Sequence, residues 1–282
     1  MADFFAFIWK FLLFSIPGVI CLAIFTAIMA VPLFMYPNAR AIFKREFLSY
    51  FNSPVAYVIL VIFLFAALGM AFLFGRFLDS NNASLTQSFF VFHPWIYFVL
   101  APAVGMRLWS EEQRLGTLEL LLTMPISPWH AIIGKFIAAA AVWLVALVLT
   151  VPIVVTVTYL GDPDSGPVWT GYVASYCYAL GCLAITSAVS AFTRSQVVCF
   201  IVSVALCFLL TIIGWQPVKD GMLKFFPDFL HWAVNGVSYT CFTDHFYAMT
   251  KGILQFDDLI YFASVVVLSL IITHVAIKSK SA

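Results

Sequence analysis

The sequence predicts an all-α polytopic membrane protein, a bundle of six or seven crossings joined by short connections. Hydrophobic residues make up 63% of the 282-residue chain and charged residues 10%, less than half of the roughly 25% that a soluble surface uses. Mean hydropathy is +1.04. The apolar residues run on continuously for stretches of about 20, which as helix is one hydrocarbon thickness, rather than alternating as they would in a barrel. This composition also excludes a disordered chain. A net charge of +1 leaves no basic surplus for nucleic acid.

Lipid offers bare backbone no partner, so each run is expected to be a helix bonded within itself. A first run covers 11–36 and contains Pro17 and Pro32. Six more follow at 55–75, 89–107, 131–159, 169–192, 196–214 and 259–277. The run 131–159 exceeds one thickness and is expected to tilt or to extend beyond the bilayer. A short turn at 193–195 separates two of the runs, and the longest connection is 215–258.

Lys and Arg set the orientation. One set of connections carries Arg40, Lys44, Arg45, Arg107, Arg114, Lys135, Arg194, Lys278 and Lys280. The other carries Arg76, Lys219, Lys224 and Lys251, with Lys10 if the first run crosses. The first set is therefore expected to be cytoplasmic, with the C-terminus inside. The external stretch 215–258 holds Trp215, Phe225, Phe226, Phe229, Trp232, Tyr239, Phe242, Phe246, Tyr247 and Phe256. Rings of this kind settle at headgroup level, so short interfacial helices are expected there, with an exit gate as the alternative. Cys241 in this stretch is expected to react with an impermeant maleimide from outside.

Several chemistries find no support. No stretch fits the phosphate-cradling G-x-x-x-x-G-K-[ST] pattern, since Gly134-Lys135 is followed by Phe136. Residues 136–161, 169–193, 195–218 and 259–277 contain no Asp, Glu, Lys or Arg, which argues against an ion-coupled carrier and an intramembrane enzyme. Cys21, Cys177, Cys182, Cys199, Cys207 and Cys241 form no C-x-x-C pair and are expected to act mainly as small apolar packers. His231, Asp244 and His245 lack the spacing of a metal site, and His93-Pro94 reads as a helix start. The sequon Asn82-Ala83-Ser84 is too short a pattern to carry weight. No catalytic residue, cofactor or metal is implied. Gly171, Ser175, Ala179, Cys182, Thr186 and Ser190 fall three or four apart, a small-residue face suited to close helix packing, to a dimer seam or to a translocation path.

The segment after Arg107 is different. Ser110-Glu111-Glu112-Gln113-Arg114-Leu115-Gly116 is polar and acidic, and Thr117-Leu118-Glu119-Leu120-Leu121-Leu122-Thr123-Met124 is a short apolar helix ended by Pro125 and Pro128. Thr117 is a candidate cap. Its acidity, from Glu111, Glu112 and Glu119 against Arg114, favours a groove on a protein partner over lipid headgroups.

The pattern E-E-x-x-x-G-T-L-E-L-L-L-T-x-P, with G-K-F before the next helix, resembles the signature of ABC-2 type permeases. Ala41-Ile42-Phe43-Lys44-Arg45-Glu46-Phe47, and Tyr50 to Tyr57 after it, are similar to that family's amphipathic elbow and first-span start. Phe92-His93-Pro94-Trp95 and Tyr159-Leu160-Gly161-Asp162-Pro163-Asp164 resemble the gliding-motility-type export branch. The resemblance covers Asn38 to the C-terminus. It implies a six-span subunit in a bacterial inner membrane, paired with a second permease copy or paralogue and served by separate ATP-binding subunits. It further implies an elbow at 37–54 carrying Lys44, Arg45 and Glu46. The coupling loop is 108–130, with Glu111, Glu112, Gly116, Thr117, Leu118, Glu119, Leu121 and Leu122 as its working residues. The branch adds an accessory membrane protein with a periplasmic domain. The run in 1–36 departs from the family and is either an extra span or an over-read start. The leading function is ATP-driven export, and the alternative is a non-transporting unit that passes ATPase motion to a periplasmic partner.

Overall fold

The computed structural model describes residues 2–75, 84–123, 126–161, 163–225 and 231–280, and among these every regular element is helical. Phe226, Pro227 and Phe229, Met124 and Pro125, Asn82 and Ala83, and the side chain of Leu122 lie outside the described residues. In chain order the helices are α1 (Ala2–Met35), α2 (Pro37–Asn52), α3 (Pro54–Leu73), α4 (Leu85–Ser88), α5 (His93–Gly105), α6 (Arg107–Leu115) and α7 (Thr117–Thr123). They continue as α8 (Pro128–Val148), α9 (Val151–Leu160), α10 (Ser165–Phe192), α11 (Gln196–Ile212), α12 (Gln216–Phe225), α13 (His231–Tyr239), α14 (Phe242–Met249) and α15 (Phe256–Lys278).

Among the described residues five stretches are long and apolar enough to cross a membrane: Pro54–Leu73, Leu85–Leu115, Pro128–Leu160, Ser165–Phe192 and Phe256–Lys278. The pair α11 and α12, bent by 75° at a short break, passes the same test only when the two helices are taken together as one broken span. The five stretches overlap the predicted runs 55–75, 89–107, 131–159, 169–192 and 259–277, and α11 covers the run 196–214. Local chemistry starts them: Ser53 accepts from Val55 N, Asp164 from Gly166 N and Ser195 from Val198 N, each supplying a partner to an otherwise orphaned first-turn donor. Proline opens α2 and α8, where its missing N–H costs nothing.

The run 131–159 falls within the single apolar stretch Pro128–Leu160, which is interrupted at residues 149–150. It breaks between α8 and α9, because Pro152 has no N–H to give Val148 and its ring crowds that carbonyl. Thr150 fills the break, donating to Leu147 O at 2.7 Å and sharing a hydrogen bond with Tyr172 at 3.1 Å.

The helix α10 is the axis, 89% buried along its apolar window, whereas α3 and α15 are each 28% buried and form the outside. At one end of the bundle Lys280 Nζ donates to Gln113 Oε1 at 2.6 Å and to Ala191 O at 2.8 Å, so α6, α10 and the C-terminus meet there. At the other end Tyr247 Oη donates to Val91 O at 3.3 Å. Lys280 and the start of the 108–130 connection therefore lie at the opposite end from the α14 part of 215–258.

Along α10 lies α1. Trp169 Nε1 donates to Phe14 O at 3.0 Å, Phe25 meets Tyr176 edge-on at 5.9 Å, and Tyr36 packs on His130 at 4.7 Å. At ~1.5 Å per residue the distance from Phe14 to Tyr36 is about 33 Å, the depth of a hydrocarbon core. Removing residues 2–34 is expected to leave the Trp169 indole N–H unpartnered in lipid and to lower the thermal unfolding midpoint of the detergent-purified protein. An unchanged midpoint would show that α1 adds nothing to the bundle.

Candidate coupling site

Lys135 lies in the second turn of α8 with only 3% of its surface exposed. A buried ammonium is tolerated only with close counter-charges, and two are supplied. Its Nζ is 3.1 Å from Glu46 Oε1 on α2 and 2.9 Å from Glu112 Oε1 on α6. Arg45 adds a second cation, 2.7 Å from Glu46 and 3.8 Å from Glu112. Nζ also lies 5.5 Å from the Trp109 ring centre. The clamp joins the elbow, the acidic end of the second span and the start of the third.

Close backbone contact makes the clamp possible. A Cβ on Gly134 would fall 2.8 Å from Ala39 O, so only glycine lets α2 lie this tightly across α8. Phe43, Phe47 and Phe51 stack along α2 at 5.7 and 4.9 Å, and Phe51 meets Tyr57 at the start of α3. The elbow thus carries an aromatic face and an ionic one, with Lys44 turned to the exterior. Burial acts to raise the Glu46 pKa, but Lys135 and Arg45 outweigh it and hold the carboxyl below its ordinary 4.5. A depressed carboxyl contributes its stabilisation at neutral pH and loses it as pH falls through the lowered value. The Glu46 contribution to the clamp is therefore present at neutral pH and is lost as the solution is acidified.

A second tie fixes α6. Gln113 Nε2 donates to Ser190 O at 3.2 Å and Ala191 O at 2.8 Å, while its Oε1 accepts from Lys280. Gly116 then ends α6 in the left-handed region, φ 72°, and α7 departs in a new direction. The Thr117 hydroxyl donates back to Glu112 O at 3.4 Å, closing α6 instead of capping α7.

The residues expected to meet a partner thus divide. Glu112 turns inward to Lys135, and Leu118 is 5% exposed, packed into its own subunit. Glu111 and Leu121 line a cleft beside the elbow. Glu119 is exposed in the first turn of α7, where it favours the helix dipole, and Leu120 is 61% exposed. The outward face of α7 is acidic and apolar together.

The six small residues of α10 are all buried within the subunit. Gly171 lies under the Phe90 ring, where an added Cβ would meet it at 2.6 Å. Ser175 Oγ is 2.7 Å from His93 Nδ1, Cys182 O accepts from Cys207 Sγ at 3.9 Å, and Ser190 O takes the Gln113 amide. Thr186 O accepts from Cys199 Sγ at 4.0 Å, and Ala179 is fully buried. His93 opens α5 but is itself fully buried.

In the stretch 215–258 Cys241 is 1% exposed, which corrects the expectation of ready labelling. Burial, with Asp244 nearby, raises its thiol to about 11. The sequence singles out His245 beside Asp244 but not its true partners: His245 is buried, with Nδ1 2.6 Å from Asp258 Oδ1 and Nε2 2.9 Å from Tyr239 O. Among the described residues no group of His, Cys, Asp and Glu has the arrangement of a metal site.

The family model described as ABC-2 family transporter protein matches residues 86–278, well over half of the chain. No curated protein matches it.

Proposed function

The chain belongs to the ABC-2 family of transporter proteins, and on that premise we propose that it is the membrane-spanning subunit of an ATP-driven exporter. A separate cytoplasmic ABC ATPase supplies the energy, and α7 is where its motion is received. The observation carrying this reading is the contrast between the two ends of the 108–130 segment. Its base is bound into the bundle through Glu112, Gln113 and Lys135, whereas Glu119 and Leu120 beyond the Gly116 turn face outward. A push on α7 is thereby passed to α8 through Lys135, to the elbow through Glu46 and to α10 through Gln113. Such a lever suits a rigid-body switch between two bundle packings.

In this account the protein sits in a bacterial inner membrane with α2, α6, α7 and the C-terminus in the cytoplasm and α1 as a seventh crossing. A second permease copy or paralogue completes the complex, and an accessory protein of the gliding-type branch contacts the α12–α14 end. Reconstitution with the ATPase in liposomes tests the export reading: ATP-dependent movement of a cargo supports it, and hydrolysis without movement supports a unit that only transmits motion.

The orientation has its own test. In a chain otherwise lacking cysteine, Asn235→Cys on the exposed face of α13 is expected to react with an impermeant maleimide once the outer barrier is opened. Thr123→Cys at the exposed end of α7 is expected to react only after inner-membrane lysis. The reverse pattern overturns the orientation.

A further inference from the structure

A cleft of about 550 Å³ opens between α2, α3, α6, α7 and α8. Its mouth is charged, lined by Arg45, Glu46, Arg107, Glu111, Glu112 and Lys135. Its inner wall is apolar, built from Val55, Ala56, Ile59, Val104 and Val142. Behind Ile59, Val104 and Val142 the wall closes on Phe63 and Trp143 between α3, α5 and α8, so the apolar end is bounded by packed side chains. One end is thus suited to a headgroup and the other to a hydrocarbon tail, in a volume typical of small-ligand sites.

Charge accounting narrows the ligand. Glu46 and Glu112 are balanced by Lys135 and Arg45. Arg107 and Glu111 remain, one turn apart on α6 and both facing the cleft, with no ion pair or hydrogen bond to any described residue. The Arg107 Nε is buried without a partner, a costly state unless something occupies the cleft. One unmatched cation beside one unmatched anion, above an apolar wall, is complementary to a molecule carrying both charges on a short headgroup.

We propose that this cleft binds a zwitterionic phospholipid, its phosphate on Arg107, its ammonium on Glu111 and the first part of one tail against Ile59, Val104 and Val142. The site lies within a single subunit and is complete without a second copy. It deepens the reading of a membrane exporter but does not depend on the ATPase.

The test therefore uses the purified full chain alone, so a failure to pair with an ATPase leaves it untouched. Delipidated protein is titrated with phosphatidylethanolamine, phosphatidylglycerol and free phosphoethanolamine, and binding is read by native mass spectrometry. The expected result is one phosphatidylethanolamine per chain, held at least tenfold more tightly than either of the others. Arg107→Gln is expected to weaken binding of both lipids about tenfold. Glu111→Gln is expected to weaken phosphatidylethanolamine selectively and leave phosphatidylglycerol unchanged, a split that general destabilisation would not produce. Equal affinity for the two lipids would overturn the zwitterion assignment, and free phosphoethanolamine binding as tightly as the lipid would overturn the tail contact. Wild-type affinities in both variants would overturn the site.

Discussion

Lys135→Met is expected to remove most of the protein from the membrane fraction and to abolish what coupling remains. The substitution keeps the bulk of the side chain but leaves two carboxylates, Glu46 and Glu112, to the one cation Arg45, where Lys135 Nζ had been within 3.1 Å of each. Breaking a buried ion pair by deleting one partner costs about 3–5 kcal/mol, because the surviving charges stay desolvated. Membrane abundance and the unfolding midpoint of the residual protein measure this. Adding Glu46→Gln and Glu112→Gln to the same chain removes the stranded charges, and the triple variant is expected to regain near wild-type abundance. Unaltered stability of Lys135→Met alone would mean that the three charges are not a structural unit.

Glu119→Lys and Gly116→Val are expected to leave a folded, inserted protein that no longer stimulates its ATPase. Glu119 is exposed and bonded to nothing that holds the bundle together, so reversing its charge acts on the partner: attraction becomes repulsion where two surfaces close. Gly116 works through the backbone. An added Cβ there meets no atom within 4 Å, but φ 72° is a conformation that a β-branched residue resists at a cost of about 1–3 kcal/mol. Valine should therefore re-aim α7, whereas Gly116→Asn, which tolerates the left-handed region, should retain function. ATPase co-purification and the fold-stimulation of hydrolysis decide the matter, with at least a tenfold loss expected for Glu119→Lys and a smaller one for Gly116→Val. Wild-type stimulation in both would remove α7 as the contact.

Much of this architecture is legible in the sequence because lipid enforces it. The six runs appear as apolar helices near the expected positions, five of them long enough to cross outright, since an apolar segment of that length has no alternative to a helix in lipid. Gly116 is readable as a break, and the helix after it as a separate element. What periodicity does not disclose is which charges meet. Lys135 looks like a juxtamembrane lysine, and only the contact of α2 with α8 at Gly134 brings Glu46 to it. The available signal was a lone lysine seven residues into an apolar helix, which demands a carboxylate partner. Gln113 gives no signal at all, because its partners are carbonyls at the end of α10, far away in the chain. The helix break at Thr150 was within reach, since Pro152 marks it. The burial of Cys241 was not, because it depends on how α13 and α14 fold back on the bundle.

The clamp as a transmitter, and not merely a brace, is the central claim, and the neutral triple variant separates the two roles. Lys135→Met, Glu46→Gln and Glu112→Gln together keep the packing and remove the charges, while α7 with Glu119 is untouched. The measurement is ATP hydrolysis by the purified complex at matched permease and ATPase content. The account predicts that the triple variant binds the ATPase as the wild type does but loses at least tenfold in stimulated hydrolysis, because the push on α7 no longer reaches α8 and the elbow. Full stimulation by the triple variant would contradict it and reduce the three charges to a brace.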